Sequence, residues 1–191
     1  MVHGTTEKHP GTFCLLILPG NDTYSVKRLH TDELNELSDY LFSLSPETRQ
    51  RFSPHAFELD ALTALYLSDL NSGYIVREIH TNKIIAYAVI RKGHFDHDLP
   101  RILSYGLTPD QATDLQFAPS VADAWQGKGT GHMLLNYIVA EQIKAGKKRI
   151  FLWGGVQKGN EQAVRFYLKN GFRTLGEFSW NGENLDMFLE L

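Results

Sequence analysis

Cysteine is nearly absent: Cys14 is the only one among 191 residues. An intrachain disulfide and a zinc site built from cysteines are therefore both excluded, and a cytoplasmic location is the expectation. Excess charge of one sign is also lacking, since 19 lysines and arginines face 22 aspartates and glutamates for a formal net charge of -3. Without a basic field, nucleic acid is not an expected partner. Long apolar runs are missing too. The most apolar early stretch, Phe13 to Leu18 in TFCLLILPG, is too short to span a bilayer and has no small-residue cleavage pattern behind it. No membrane partner is expected, and neither internal repeats nor low-complexity segments are apparent.

What is present suits one substantial core. With 42% hydrophobic residues, the chain reads as a polar, flexible leader over 1–11 followed by a single domain over 12–191. A hairpin is expected around the Pro-Gly-Asn-Asp cluster, its second strand near Tyr24 to Leu29. Helical spacing of Leu34, Leu37, Leu41 and Leu44 follows, with Thr31 as its cap, and Ser45-Pro46 restarts a helix. FELDALTALYLSDL reads as a further short helix closed at Asn71-Ser72-Gly73, and GYIVREIHTNKIIAYAVIRKG as a hairpin turning at Thr81 to Lys83. From His94 to Thr113 a long surface loop is expected.

The second half alternates strand and helix. DLQFAPSV is a strand containing Pro119, which belongs at an edge, a bulge or a place where the neighbouring strand has moved away. A long helix runs from Gly131 towards Gly146, RIFLW is a buried strand, and NEQAVRFYLKNG is a helix capped by Asn160 and ended at Gly171. Two last strands flank the Asn181-Gly182 turn. The class is α/β in the broad sense, with a mixed sheet.

Strand, glycine-rich turn and long helix form a physical recipe for anion binding. Gly127, Gly129 and Gly131 in QGKGTG leave backbone N–H groups uncovered at the positive end of a helix dipole. A phosphate is the expected guest. No Lys-Ser or Lys-Thr follows the last glycine and residue 132 is histidine, so the turn fits neither a P-loop nor GxGxxG.

Gln126, Gly129 and Gly131 do occupy the fixed positions of QxxGxG, and NEQAVRFYLKNGF supplies Asn, Ala, Phe-Tyr and Gly-Phe at the separations of a second signature. On these two motifs the chain resembles the GNAT superfamily of acyl-CoA-dependent N-acyltransferases. Within it, LPGNDTYSVKRLH, LFSLSPETRQRF and VADAWQGKGTG are similar to segments of the bacterial protein-lysine acetyltransferase type. The resemblance implies a mostly antiparallel central sheet flanked by helices and splayed after the strand at 115–121. It also implies acetyl-CoA as co-substrate, with its pyrophosphate at Gln126, Gly127, Lys128, Gly129, Thr130, Gly131 and His132. The backbone of Pro119, Ser120 and Val121 would line the pantetheine arm, an amide of Ser120 or Val121 would polarise the thioester, and Asn160 would touch the cofactor. Tyr167, on the helical face of Ala163, would protonate the departing thiolate.

A general base is harder to assign. The position where relatives carry a glutamate holds Gln116, and that of another carboxylate holds Gly155. Asp114, two residues before Gln116, is the substitute candidate. GHFDHDLPR gathers His94, Asp96, His97 and Asp98 at a spacing that matches no standard ligand set, so no metal is expected. The expected activity is acetyl transfer from acetyl-CoA to a primary amine of a small molecule or protein. A non-catalytic acyl-CoA-binding module of the same fold is the alternative, and monomer and homodimer both remain open.

Overall fold

The computed structural model describes the backbone of residues 14–17 and 23–191 and the side chains of 24–191. The expected leader and the tip of the first hairpin lie outside the described residues. Strand β1 (Cys14–Ile17) pairs antiparallel with β2 (Thr23–Arg28). A 3-10 turn at Thr31–Glu33 leads into α1 (Leu34–Ser43), whose entry is held by Glu33, which accepts from the His30 amide at 3.0 Å. Helix α2 (Pro46–Arg51) starts as read, with Ser45 accepting from the Thr48 amide, and α3 (Leu59–Tyr66) follows.

The central hairpin is β3 (Asn71–Glu78) and β4 (Ile84–Lys92), so Asn71-Ser72-Gly73 opens a strand rather than closing a helix. Ile84 to Ile90 are all buried, the near-continuous apolar run of a strand covered on both faces. The expected loop from His94 to Thr113 contains α4 (Leu99–Ser104), with Pro100 in its first turn and Ile102 buried. A six-residue helix is too short to show periodicity in the sequence.

Strand β5 (Asp114–Val121) leads through the glycine turn to α5 (Thr130–Lys144) and returns in β6 (Arg149–Leu152). These two strands pair in parallel, the one such pairing among the described strands, and α5 is the crossover that a parallel pair requires. A two-residue strand β7 (Val156–Gln157), helix α6 (Glu161–Lys169), and strands β8 (Arg173–Ser179) and β9 (Glu183–Glu190) complete the chain. Beyond β6, β9 pairs with β6 and β7, and β8 pairs with β9.

Strand alternation sorts side chains into two cores. Leu115 and Phe117 join Leu134, Leu135 and Ile138 of α5, together with Tyr167 of α6. Ala118, Tyr87 and Val89 face Leu37 and Leu41 of α1 and Leu62 of α3. The sheet is therefore a wall with one helical layer on each face.

Candidate functional site

Pairing between β5 and β6 runs from Asp114↔Arg149 to Phe117↔Leu152, and the Trp153 amide adds a final bond to the Phe117 carbonyl at 2.9 Å. Pairing of β5 with β4 continues to Val121 without a break. From Ala118 onward, one edge of β5 is open. Since alternate residues point their backbone groups to opposite edges, Phe117, Pro119 and Val121 face the β6 side, while the Ala122 amide donates to Ile85 of the β4 side. Pro119 thus puts its missing N–H where no ladder exists. Val121 supplies the first amide that faces the gap. Ser120 is turned away, its backbone towards β4 and its Oγ in a 3.2 Å hydrogen bond with the Tyr40 hydroxyl.

The glycine turn begins at the end of β5. Gly127 and Gly129 adopt φ of 72° and 88°, and a Cβ on either would meet nothing within 4 Å. Left-handed backbone requires glycine at both positions, rather than any shortage of space. No side chain caps α5, and its first internal bond runs from the Met133 amide to the Gly129 carbonyl at 3.0 Å. The amides of Thr130, Gly131 and His132 lie ahead of that ladder, at the positive end of the dipole. Lys128 stands over the Trp125 ring at 5.1 Å and adds a cation to the same turn. Thr130 Oγ1 donates to the Trp125 carbonyl at 3.3 Å, which stiffens it. Gln126 Nε2 donates to the Val121 carbonyl at 3.1 Å, joining turn and open strand.

Gly131 brings the third component in. A Cβ there would lie 3.4 Å from Phe166 of α6 and 3.5 Å from Val121 Cγ2. Turn, open strand and α6 meet at this point. Asn160 caps α6 by accepting from the Ala163 amide at 3.2 Å, and its Nδ2 makes no hydrogen bond to the described residues. Tyr167 packs on Phe172 at 5.2 Å and is 8% exposed. Its hydroxyl has no hydrogen-bond partner among the described residues, and burial pushes its pKa well above the usual tyrosine range. The phenol therefore keeps its proton at neutral pH.

Geometry constrains three positions named from the sequence, and one of them, Asp114, loses its expected role. Asp114 is fully buried and forms a two-pronged pair with Arg149, 2.8 Å on each oxygen, while Oδ2 also accepts from the Asp110 amide at 2.7 Å. It stands seven residues from Val121, roughly 23 Å along the strand, and serves as a structural ion pair rather than a base for the gap. His132 is occupied as well. Asn170 Nδ2 donates to the Phe166 carbonyl, which turns Asn170 Oδ1 towards His132 Nδ1, while Asn136 Nδ2 donates to Nε2 at 2.9 Å. Its imidazole fastens the first turn of α5 to the end of α6, leaving only the backbone amide to a ligand. At Gly155, φ is 71° and a Cβ would lie 2.7 Å from the Leu185 carbonyl oxygen. No carboxylate could stand there.

Two arrangements were not visible in the sequence. Asp123, just before the turn, accepts from the Ser45 amide at 3.0 Å, from Ser45 Oγ at 2.7 Å and from Thr48 Oγ1 at 2.6 Å. These bonds, led by that from Thr48, pull its pKa down to about 2. On the α1–α3 face, His55 Nδ1 donates to the Ala56 carbonyl at 2.8 Å, so Nε2 must accept from the Tyr87 hydroxyl at 2.9 Å, and Tyr66 then donates to Tyr87. Burial lowers the His55 pKa and raises those of both tyrosines. Among the described residues, no group of three His, Cys, Asp or Glu side chains is placed to hold a metal, and no helix is long and apolar enough to cross a membrane.

Comparison with known proteins meets this geometry. Residues 34–172 match the family model of the Acetyltransferase (GNAT) family. Over 99 residues the chain is 29% identical to a spermine/spermidine N(1)-acetyltransferase of Bacillus subtilis (strain 168), covering 48% of this chain and 64% of that protein. A probable spermine N(1)-acetyltransferase of Bacillus subtilis subsp. natto is 30% identical over the same length and shares. The chain thus spans just under two thirds of the length of these curated relatives. Among solved structures, the GNAT domain of S. lividans PAT superposes with a TM-score of 0.72 at 20% identity, covering 94% of this chain and 97% of that one. At that identity, the likeness shows the fold.

Proposed function

Given that the chain belongs to the Acetyltransferase (GNAT) family, we propose that it transfers an acetyl group from acetyl-CoA to a primary amine. The observation that carries this is the meeting of three parts around one gap: an open strand edge with the Val121 amide, an uncapped glycine turn, and helix α6, which bears the Tyr167 hydroxyl. Amides 127–132 and Lys128 would hold the pyrophosphate, and the Asn160 amide group would steady the pantetheine arm.

With the thioester in the gap, the Val121 amide would polarise its carbonyl. Amine nitrogen attacks the acetyl carbon, the N–C bond forms and the C–S bond breaks. The thiolate takes the Tyr167 proton, and the proton lost by the amine nitrogen restores the phenol, directly or through water. The products are an acetamide and free coenzyme A. Of the side chains read as possible bases, Gln116 cannot accept a proton, Asp114 is paired, and Gly155 has none. Deprotonation of the amine therefore falls to solvent, or the neutral amine binds.

The test is thiol release from acetyl-CoA against a panel of amines and peptides, alongside calorimetric titration with acetyl-CoA. The expected result is binding plus acceptor-dependent release. Binding without release for every acceptor would favour the non-catalytic module.

A further inference from the structure

Where β6 leaves β5, the next residue is Trp153, and its ring lies on the α1–α3 face with Ala118 rather than on the face of α5. The cofactor elements occupy the opposite face, so an acetyl group passed through the gap would emerge beside this ring. Trp153 does not stand alone. Phe95 packs against it at 5.0 Å, His97 stacks on Phe95 at 5.2 Å, and the Arg91 guanidinium caps the Phe95 ring at 4.4 Å. The GHFDHD segment, unassigned by its spacing, thus builds an aromatic wall with a cation behind it.

Charge around this wall is equally informative. Arg91 has no carboxylate partner among the described residues and donates only to the Lys92 carbonyl. Two acids of the neighbouring α4 and β9 are held by one cation: Asp98 pairs with Arg101 at 2.8 Å, and Asp186 holds Arg101 at 2.7 Å and the Tyr105 hydroxyl at 2.9 Å. Asp96 points into solvent, where its field is screened. What the wall itself presents to an acceptor is aromatic surface and a guanidinium, which suit an apolar body better than a second ammonium.

We infer that the acceptor is a single primary amine carried on an aromatic body, an arylalkylamine whose ring packs on Trp153 and Phe95, and that polyamines are poor acceptors. This rests on the acetyl-transfer reading above. Ring packing supplies orientation, holding the amine at the gap with one apolar contact and leaving no second ammonium to be neutralised.

The experiment compares phenethylamine, tryptamine, spermidine and a lysine-containing peptide in the thiol-release assay. The two arylalkylamines are expected to exceed spermidine at least tenfold in kcat/KM. Trp153→Ala should raise the KM for phenethylamine about tenfold, the size of a lost aromatic contact, with the KM for acetyl-CoA unchanged. Arg91→Glu, a substitution near the surface, should lower the KM for spermidine. Preference for spermidine or the peptide, or an unaltered phenethylamine KM in a folded Trp153→Ala protein, overturns the inference. If no amine releases thiol, acetyl transfer has failed rather than the acceptor class. The class is then read by thermal shift with coenzyme A present: phenethylamine should raise Tm in a Trp153-dependent way, and a larger rise with spermidine overturns it.

Discussion

Thr48 Oγ1 donates to Asp123 Oδ1 at 2.6 Å across 75 positions of sequence, tying the first turn of α2 to the residue that precedes the glycine turn. Ser45 adds its amide and hydroxyl to the same carboxylate, and Gln126 Nε2 reaches Thr48 Oγ1 at 3.3 Å. One carboxylate therefore connects the α1–α3 layer to the turn.

Asp123→Ala should cost about 1 kcal/mol, the size of a lost helix cap at an exposed, screened site, read by denaturant unfolding. Its acidity sets a pH window. The folded carboxyl titrates at about 2 against an ordinary 3.8. Its contribution is thus present above pH 4 and is lost as pH falls from about 4 to about 2. The variant should show a flatter acid limb than the parent.

How far the sequence reaches is seen by comparing Asp123 with its neighbours. Gln126, Gly129, Gly131 and Asn160 signal themselves because turn geometry and capping are local, and residues within a few positions decide them. Pro119 narrows its place to an edge, a bulge or a parting of strands, since a missing N–H is a local fact; which of the three holds is decided by where β6 ends. The partners of Asp123 are settled only when α2 packs beside the turn, and Asp114 read as a free acid until Arg149 of the parallel strand was placed beside it. Helix α4 and strand β7 were hidden for another reason: six and two residues are shorter than the period that would reveal them.

Tyr167→Phe separates chemistry from packing. The ring contacts with Phe166 and Phe172 remain, and the hydroxyl has no partner among the described residues to lose. Tm should hold while kcat falls about a hundredfold, the usual size of a lost general acid. The KM for acetyl-CoA should stay near its parent value. A loss of stability with unchanged kcat would return Tyr167 to the core.

Substitution along the turn should distinguish backbone shape from space. Gly129→Ala places a side chain at φ 88°, a strain of about 1–2 kcal/mol, although nothing obstructs the methyl. Weaker acetyl-CoA binding and a lower Tm are expected together. Gly131→Ala meets Phe166 and Val121 at ordinary contact distances and a helical φ, so its stability should change by less than about 0.5 kcal/mol. Calorimetric titration of both variants with coenzyme A checks the contrast.

His55 predicts a second pH window. Burial holds its folded pKa below the ordinary 6.5, with the Ala56 bond opposing the shift. Above 6.5 both states are neutral and the contribution is fully present. As pH falls from 6.5 towards the lower folded value, the unfolded chain binds the proton first and stability is lost. A scan of Tm from pH 7.5 to 5 should show this loss in the parent, and His55→Gln should remove that part of the slope.

Gln116 sits in β5 at 1% exposure, and its Nε2 is buried without a hydrogen-bond partner among the described residues. A donor stripped of water and left unpaired costs about 1–3 kcal/mol, so Gln116→Met, similar in length and lacking the donor, should raise stability by about 1 kcal/mol. Thiol release should be unaffected, because an amide cannot take the amine proton that a glutamate at this position could. Gln116→Glu makes the opposite case: a carboxyl sealed in the same place is held neutral by burial, and keeping it protonated while the unfolded chain ionises costs more stability as pH rises. Denaturant midpoints at pH 5 and pH 8 should therefore diverge in the glutamate variant and run parallel in the methionine variant. A methionine variant that folds as well as the parent but loses thiol release would show that the Gln116 amide itself acts on the substrate.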